Sequence, residues 1–233
     1  MNLSILQKRT REFYENQAEE FNRTRQYVWP GTKEFLDSID ISSNPKVLEI
    51  GCGNGRNMEY RKDLDIIGVD YSKKLVELVN KKFNDKKAFH ADMVELPFED
   101  SSFDYILCIA VYHHLDTDEK RKKALLEMKR VCKPNGKIFL QVWALEQPKN
   151  SRRKFVKGDN IVTWKKRDGS LCGKRYYHVY EKGKLKEEIL NNIPSWKILM
   201  ETYEVGNWIL TIENNLIANS ARDILDKILV RLD

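Results

Sequence analysis

The stretch Lys46-Val47-Leu48-Glu49-Ile50-Gly51-Cys52-Gly53-Asn54-Gly55 decides the fold, because it runs an apolar strand into three glycines spaced two apart. A buried strand that turns sharply outward needs residues without side chains, which accept positive φ and let the backbone approach a ligand. The spacing is E-x-G-x-G-x-G, not the G-x-G-x-x-G of a dinucleotide-binding loop. The acidic Glu49 suits a cofactor that carries positive charge. The pattern predicts a nucleotide-type cofactor site at Glu49, Gly51, Gly53 and Gly55, the alternative being a glycine-rich structural turn.

Strand and helix patterns alternate between Lys46 and Ala144. Apolar runs predict further strands at 65–70, 87–91, 105–110 and 137–144, and charged segments with helical spacing separate them. This alternation favours an α/β fold with a doubly wound, mostly parallel sheet. Two more strands, at 196–205 and 207–212, form a predicted hairpin that supplies one antiparallel strand.

The length of 233 residues suits one α/β domain with decorations, so we expect a single domain over 1–233. Its predicted parts are N-terminal helices that form a lid (1–45), a cofactor-binding core (46–144), an RNA- or substrate-binding insertion (145–195), closing strands (196–213) and a C-terminal helix (214–233).

The chain is basic, with a formal charge of +6 and a pI near 9.0. Such a charge favours an anionic partner such as RNA, the alternative being a basic surface that only keeps the protein soluble. The four cysteines share no C-x-x-C spacing, so we expect no disulfide framework and no metal site. No run of about eighteen apolar residues occurs, and the first residues lack a signal-peptide layout. We expect no membrane contact and a cytoplasmic location, with the nucleus as a second compartment.

Acidic residues follow two of the predicted strands. Asp70 ends the second strand at the distance from the glycine loop that a βαβ unit requires, so it is our candidate acceptor for two ribose hydroxyl groups. Its alternative role is to cap the next helix. Asp92 and Met93 follow the third strand, where a carboxylate and a thioether can contact adenine. Tyr71 and Ala110 complete the predicted cofactor-binding set.

The fourth strand leads into Val111-Tyr112-His113-His114, at the sheet edge where open α/β sheets bind ligands. We expect one of the two histidines to face the site; without a third ligand they are weak evidence for zinc. Basic runs follow at 151–154 and 164–167, in a segment that we expect to be irregular; they are either solvated loops or RNA contacts. Arg175-Tyr176-Tyr177-His178 mixes cations with aromatic rings, as surfaces that stack bases do.

Apolar residues recur at helical spacing from Ile5 to Arg25 and predict one amphipathic helix before the core. Pro30 fits the first turn of a second helix. Trp29, just before it, is either a core or lid residue or a substrate contact. The spacing from Leu216 to Leu229 predicts a terminal amphipathic helix.

The glycine loop resembles motif I of the class I S-adenosylmethionine-dependent methyltransferases. More specific motifs are Thr24-Arg25 with Trp29-Pro30, Ala110-Val111-Tyr112-His113-His114, Trp143-Ala144-Leu145-Glu146-Gln147 with Ser151-Arg152-Arg153, Arg175-Tyr176-Tyr177-His178 and Asn207-Trp208. Together they resemble the eukaryotic tRNA wobble-uridine carboxymethyl methyltransferases, up to about Glu213. The resemblance implies a seven-stranded Rossmann-like methyltransferase sheet, S-adenosylmethionine as cofactor, and methylation of the carboxylate of 5-carboxymethyluridine at the wobble position of tRNA.

The resemblance also implies residue roles. Arg25 and Arg175 would hold the substrate carboxylate and His113 would line the methyl-transfer site, which makes these three the catalytic candidates. The expected contacts with the substrate and the anticodon loop are Trp29, Tyr112, Arg152, Arg153, Tyr176, Tyr177 and His178. The chain departs from yeast-like relatives in a shorter connection between Trp164 and Arg175 and in an added helix after Glu213.

A small zinc-binding activator subunit is the partner that the resemblance implies. In class I methyltransferases the third strand lies at an open edge, and here that strand is short, so another chain can extend its ladder. We expect a heterodimer at this edge.

Two other classes of function fit the cofactor loop. A small-molecule methyltransferase, acting on a lipid or a quinone, would carry an apolar lid in place of the Arg- and Lys-rich segment after Ala144. A catalytically silent cofactor-binding subunit would bind the cofactor without releasing its methyl group.

Overall fold

The structure, a computed structural model, describes residues 3–84, 87–165 and 169–215. The strands in these ranges are β1 (Lys46–Ile50), β2 (Asp65–Asp70), β3 (Ala88–His90), β4 (Phe103–Ile109), β5 (Cys132–Trp143), β6 (Gly158–Lys165), β7 (Leu171–Val179), β8 (Lys197–Glu204) and β9 (Asn207–Glu213). The α-helices are α1 (Leu3–Asn16), α2 (Ala18–Thr24), α3 (Pro30–Asp37), α4 (Arg56–Tyr60), α5 (Lys73–Phe83), α6 (Asp118–Val131) and α7 (Lys184–Asn192).

Seven strands form one mixed sheet in the order β3-β2-β1-β4-β5-β9-β8. The first five are mutually parallel, and β9 is antiparallel to both of its neighbours. The predicted doubly wound, mostly parallel α/β sheet with one antiparallel strand is therefore confirmed. Because helices cover both faces, the central strands are buried on both sides, as β1 with its consecutive buried residues Val47 and Leu48 illustrates.

Helices cover the sheet on two sides. Phe35 and Leu36 of α3 pack with Met58 of α4 and Val79 of α5 in one apolar cluster. The apolar faces of α6 and α7 build a larger cluster on the opposite side. The sheet is thereby held between two helical layers, and its carboxyl edge is left for the loops that form the site.

The structure corrects the expected single N-terminal helix. The chain leaves helical geometry at Gln17, so α1 and α2 are separate helices. The break turns Phe21 so that its ring meets Tyr14 edge-to-face at 5.7 Å. Pro30 is at the first turn of α3, as predicted.

The structure also corrects the expected irregular segment after the fifth strand. β6 and β7 pair antiparallel as a separate two-stranded sheet, and α7 follows them. The hairpin packs under α1, where Phe13 lies so close to Gly173 that a Cβ there would be 2.6 Å from its ring. The predicted terminal helix, Leu216 to Leu229, lies outside the described residues.

No helix in the described ranges is long and apolar enough to span a membrane. Within the same ranges, no group of three or more His, Cys, Asp or Glu side chains is arranged to hold a metal ion.

Candidate active site

A cavity of about 440 Å³ opens at the carboxyl ends of β1, β2 and β4. Open α/β sheets bind ligands in this position, where loops after the strands surround the crevice. The first two helices and β7 close the cavity from the other side, since Tyr14, Phe21 and Arg175 line its wall. The lining combines the glycine loop with residues from 1–45 and from 145–195.

The glycine loop needs its glycines for backbone conformation. Gly51 has φ +69°, and a Cβ there would lie 2.6 Å from Val111. Gly53 has φ +56° and donates its N–H to the Asp70 carboxylate at 2.9 Å. Both line the cavity, whereas Gly55, at φ +71°, precedes α4 and does not. Ala110, at the end of β4, also lines the cavity in a left-handed conformation, φ 55°.

Asp70 faces the cavity with a carboxylate that is already oriented. One oxygen accepts the Gly53 N–H and the other accepts the Ser72 N–H, each at 2.9 Å. The helix cap that was the alternative role for Asp70 is supplied by Ser72, whose hydroxyl accepts the Leu75 N–H. Because each carboxylate oxygen has a second lone pair, Asp70 keeps the capacity to accept ribose hydroxyl groups.

Glu49 is buried in the cavity wall. One oxygen accepts from the Asn57 amide at 2.6 Å, while Oε2 has no hydrogen-bond partner in the described residues. Burial raises the pKa of Glu49 to about 7, against the opposing effects of Asn57 and Arg56. An unpaired buried carboxylate oxygen costs free energy unless a ligand supplies a donor or a positive charge.

The predicted adenine contacts lie together at one end of the cavity. Met93 is buried there, and Asp92 forms an ion pair with Arg11 of α1. The same guanidinium lies 3.7 Å above the ring of Tyr71. Sequence reasoning missed Arg11, because a charged residue on an amphipathic helix is ordinarily solvated.

Cationic side chains converge at the other end. Arg175 is 7% exposed, and Arg25, just after α2, is half-buried. Their guanidinium carbons lie 5.0 Å and 5.1 Å from the ring of Trp164. Burial, and then Arg175, lower the pKa of Arg25. None of the described carboxylates forms an ion pair with either guanidinium, so the described residues supply no counter-anion at this end of the cavity.

The two histidines both line the cavity and both are neutral. His113 is fully buried, and its Nδ1 accepts the backbone N–H of Trp143 at 3.0 Å. The ring proton is therefore on Nε2, which has no partner among the described residues. Burial, His114 and Arg175 hold the pKa of His113 well below its usual range. His113 thus offers a hydrogen-bond donor to a ligand.

The other predicted substrate residues divide into two groups. Trp29, Arg153 and Tyr177 line the cavity; Tyr177 stacks on Trp143 at 3.9 Å, and Arg153 lies 4.4 Å above the same indole. The structure does not bring Arg152, Tyr112, Tyr176 or His178 to the cavity wall.

Packing explains three of these departures. Tyr112 is fully buried in the core and donates to Glu188 of α7 at 2.6 Å. Tyr176 and His178 are both bonded to Asp159 of β6, at 2.7 and 2.9 Å. Since residues alternate along β7, Arg175 and Tyr177 face the cavity while their neighbours point away from it. Arg152 is simply exposed.

Known proteins resemble this chain in fold and in sequence. Residues 48–140 match the methyltransferase domain family. A methyltransferase of Haloferax volcanii, solved in complex with the Trm112 methyltransferase activator, superimposes with a TM-score of 0.65 over 88% of this chain and 97% of its own, at 13% identity. The fold, the glycine loop and the acidic residues Glu49 and Asp70 that line the cavity define a class I S-adenosylmethionine-dependent methyltransferase.

Two relatives indicate a particular family within the class I methyltransferases. The tRNA (carboxymethyluridine(34)-5-O)-methyltransferase of Schizosaccharomyces pombe is 32% identical over 225 residues, 88% of this chain and 95% of that protein. The tRNA (carboxymethyluridine(34)-5-O)-methyltransferase ALKBH8 of Mus musculus is 37% identical over 160 residues, 68% of this chain but 24% of that protein. The chain belongs to the family of tRNA carboxymethyluridine methyltransferases.

Proposed function

We propose that the protein transfers a methyl group from S-adenosylmethionine to the carboxylate of 5-carboxymethyluridine at the wobble position of the tRNA anticodon. The observation that carries this proposal is the buried Arg175, which has no ion-pair partner among the described residues, beside Arg25 at the end of the cavity opposite Asp92. Two cations without a counter-anion suit an anionic substrate, and a planar guanidinium pairs with a carboxylate through two parallel hydrogen bonds. The names of the relatives agree with this substrate.

The residues present fit the cofactor. Asp70 would accept ribose hydroxyl groups, Glu49 would meet the positive charge with the oxygen that has no partner among the described residues, and Gly51 and Gly53 allow close approach of the backbone. Met93 and Tyr71 border the adenine end. S-adenosylmethionine supplies an electrophilic methyl group on a positively charged sulfur.

The chemistry needs no general base. A carboxylic acid has a pKa of about 4, so the nucleophile is ionised at pH 7. In the reaction one C–O bond forms as one C–S bond breaks, and the positive and negative charges cancel in the products. Arg25 and Arg175 orient the carboxylate, and the neutral Nε2–H of His113 adds a donor at the same site. Positioning of this kind contributes about 7 to 11 kcal/mol in favourable cases.

Basic side chains at the mouth support a tRNA substrate. Arg153 lines the cavity, and its neighbours in the chain, Arg152 and Lys154, are exposed. Exposed cations at this position suit the phosphates of an anticodon loop whose wobble base is unstacked into the cavity. An enzyme for lipids or quinones would instead need an apolar lid.

A partner subunit belongs to the proposal. β3 is three residues long and lies at the edge of the sheet. The Asn80 side chain bonds both the N–H and the C=O of Ala88, so an added strand would pair along His90 or displace Asn80. The Haloferax volcanii neighbour was solved with a methyltransferase activator. We therefore propose a small zinc-binding activator on this edge.

The test is methyl transfer from labelled S-adenosylmethionine to tRNA that carries 5-carboxymethyluridine, with and without the activator, followed by nucleoside analysis. The expected product is the methyl ester of the wobble nucleoside. Label on another nucleoside, or no transfer by the complex, contradicts the proposal. Transfer to a lipid or quinone extract that bulk tRNA does not compete with would support the small-molecule alternative.

A further inference from the structure

We propose that Tyr14 of the N-terminal helix is a positioning residue that orients Arg175 toward the substrate, and that His114 in turn orients Tyr14. The inference deepens the proposed function and rests on it for the identity of the anion that Arg175 meets. Neither Tyr14 nor His114 was a predicted site residue. Three hydrogen bonds with determined directions carry the argument.

The hydrogen bond between His114 and the Tyr176 carbonyl determines the direction of the bond between Tyr14 and His114. His114 Nδ1 lies 2.7 Å from the backbone oxygen of Tyr176, and a carbonyl only accepts, so Nδ1 carries the ring proton. Burial lowers the pKa of His114 to about 3, so the ring stays neutral and Nε2 is an acceptor. The Tyr14 hydroxyl, 3.0 Å away, must donate to it.

The Tyr14 hydroxyl also contacts Arg175. Because the Tyr14 proton is directed to His114, its oxygen presents lone pairs on the other side. Arg175 Nη1 donates to that oxygen at 3.3 Å. Tyr14 is the one hydrogen-bond partner of this guanidinium within the described residues, and its Nε is buried without any. The bond therefore sets the rotation of the guanidinium plane.

Aromatic rings hold Arg175 without directing its N–H groups. Phe13, Trp164 and Tyr177 lie 5.0 to 5.2 Å from the guanidinium carbon. Cation–π contacts are broad in angle, so they confine the cation but leave its plane free to turn. A single hydrogen bond from Tyr14 removes that freedom and leaves the remaining N–H groups for a two-pronged contact with a carboxylate.

Helix α1 makes the arrangement stiff. Thr10, one turn before Tyr14, accepts the backbone N–H of Tyr176 at 2.8 Å, next to Arg175 in the chain. Arg11 joins the same helix to Asp92 at the cofactor end. One helix thus touches both ends of the cavity, and Tyr14 acts through Arg175 rather than by chemistry of its own.

A double-mutant cycle tests this coupling. The variants are Tyr14→Phe, Arg175→Lys and the double variant. Tyr60→Phe is the matched control, because the Tyr60 hydroxyl donates to Asp37 at the surface and Tyr60 does not line the cavity. Tyr14→Phe keeps the ring that packs edge-to-face on Phe13 and Phe21, and thermal melting checks the fold. Single-turnover methyl transfer to tRNA and calorimetric binding of the cofactor are measured for each.

Tyr14→Phe should lower the single-turnover rate about tenfold and leave cofactor affinity within about twofold. In the double variant, the added Tyr14→Phe should lower the rate of Arg175→Lys by less than about a further twofold. Tyr60→Phe should match wild type. If the two losses multiply in the double variant, or if Tyr14→Phe transfers at the wild-type rate, Tyr14 does not act through Arg175 and the inference is wrong.

A second measurement separates this inference from the substrate assignment. Nitrogen NMR of the Arg175 guanidinium, assigned with Arg175→Lys, needs no tRNA. Slow rotation of the Arg175 guanidinium in wild type that becomes fast in Tyr14→Phe supports the positioning role even if tRNA is not methylated. The same rotation rate in both proteins overturns it.

Discussion

We expect substrate recognition to depend most on Arg25. Its side chain is half-buried, its one hydrogen bond in the described residues goes to the Thr24 carbonyl at 3.3 Å, and its own backbone oxygen accepts from Asn54 of the glycine loop at 2.8 Å. The backbone is therefore fixed to the cofactor loop while the guanidinium stays free for a ligand.

Arg25→Ala should slow methyl transfer roughly tens to hundreds of fold, because loss of a charged hydrogen-bond pair in a desolvated site costs about 2 to 4 kcal/mol. Arg25→Lys should rescue poorly, since an ammonium lacks the planar fork. Single-turnover rates and cofactor titrations measure both effects. Arg23→Ala is the control, because Arg23 is paired with Glu20 at the surface. Near-normal transfer by both Arg25 variants would contradict this role, and Arg175 would be the remaining candidate for binding the substrate carboxylate.

Glu49 should make cofactor binding depend on pH. Its pKa is raised to about 7 in the cofactor-free protein, so below pH 7 it is mostly protonated and neutral. A bound cation favours the ionised form, so binding releases a proton and affinity should rise with pH, by up to about tenfold per unit below the pKa. Calorimetry between pH 6 and 8 measures this slope. Glu49→Gln cannot ionise and should remove it; an equal slope in that variant would assign the effect to another group.

The hairpin of β6 and β7 is the element that sequence reasoning did not find. Residues along β6 alternate between half-buried and exposed, and polar residues occupy many positions, so no continuous apolar run distinguishes it from a loop. Its stability depends on contact with α1, through Phe13 against Gly173 and Trp164. A partner so distant in the chain leaves no local signal.

The parallel core was predictable because its elements follow short-range rules. Each strand is a compact apolar run, and Gly51 and Asp70 lie at strand ends where the βαβ geometry requires them. Arg25 and Arg175 were predicted from the family resemblance, not from spacing. Arg11 and Tyr14 were not, because the packing of α1 across the cavity brings them to the site.

Trp164, on β6, should strengthen substrate binding because the ring lies 5.1 Å from the guanidinium carbon of Arg25 and 5.0 Å from that of Arg175, and so helps to hold both cations. Trp164→Leu removes two cation–π contacts worth about 0.5 to 1 kcal/mol each and should raise the KM for tRNA roughly five- to thirtyfold. Steady-state kinetics with tRNA measure this change. Ile161→Ala, on the exposed part of the same strand, should leave KM unchanged. Equal KM values for wild type and Trp164→Leu would show that Trp164 does not help Arg25 and Arg175 to bind the substrate.

At the scale of the whole molecule, the two edges of the sheet should behave differently. An activator that extends β3 should slow hydrogen exchange at the outward amide of His90 and leave the amides of β8 unchanged; the Ala88 amide is already bonded to Asn80. Size exclusion should give a heterodimer, and the isolated chain should be poorly soluble. Protection at β8 instead, or a monodisperse and fully active isolated chain, would contradict docking at β3.

Arg25 and Arg175, which have no ion-pair partner among the described residues, have a consequence for turnover in the proposed reaction. They would attract an anionic nucleoside, but esterification would remove the negative charge, so the product would face the same two cations with nothing to neutralise them. The proposed chemical step would thereby itself favour dissociation of the finished tRNA. The methyl ester should therefore be a weak competitor of its own precursor, and the enzyme should discriminate between the two by charge rather than by size.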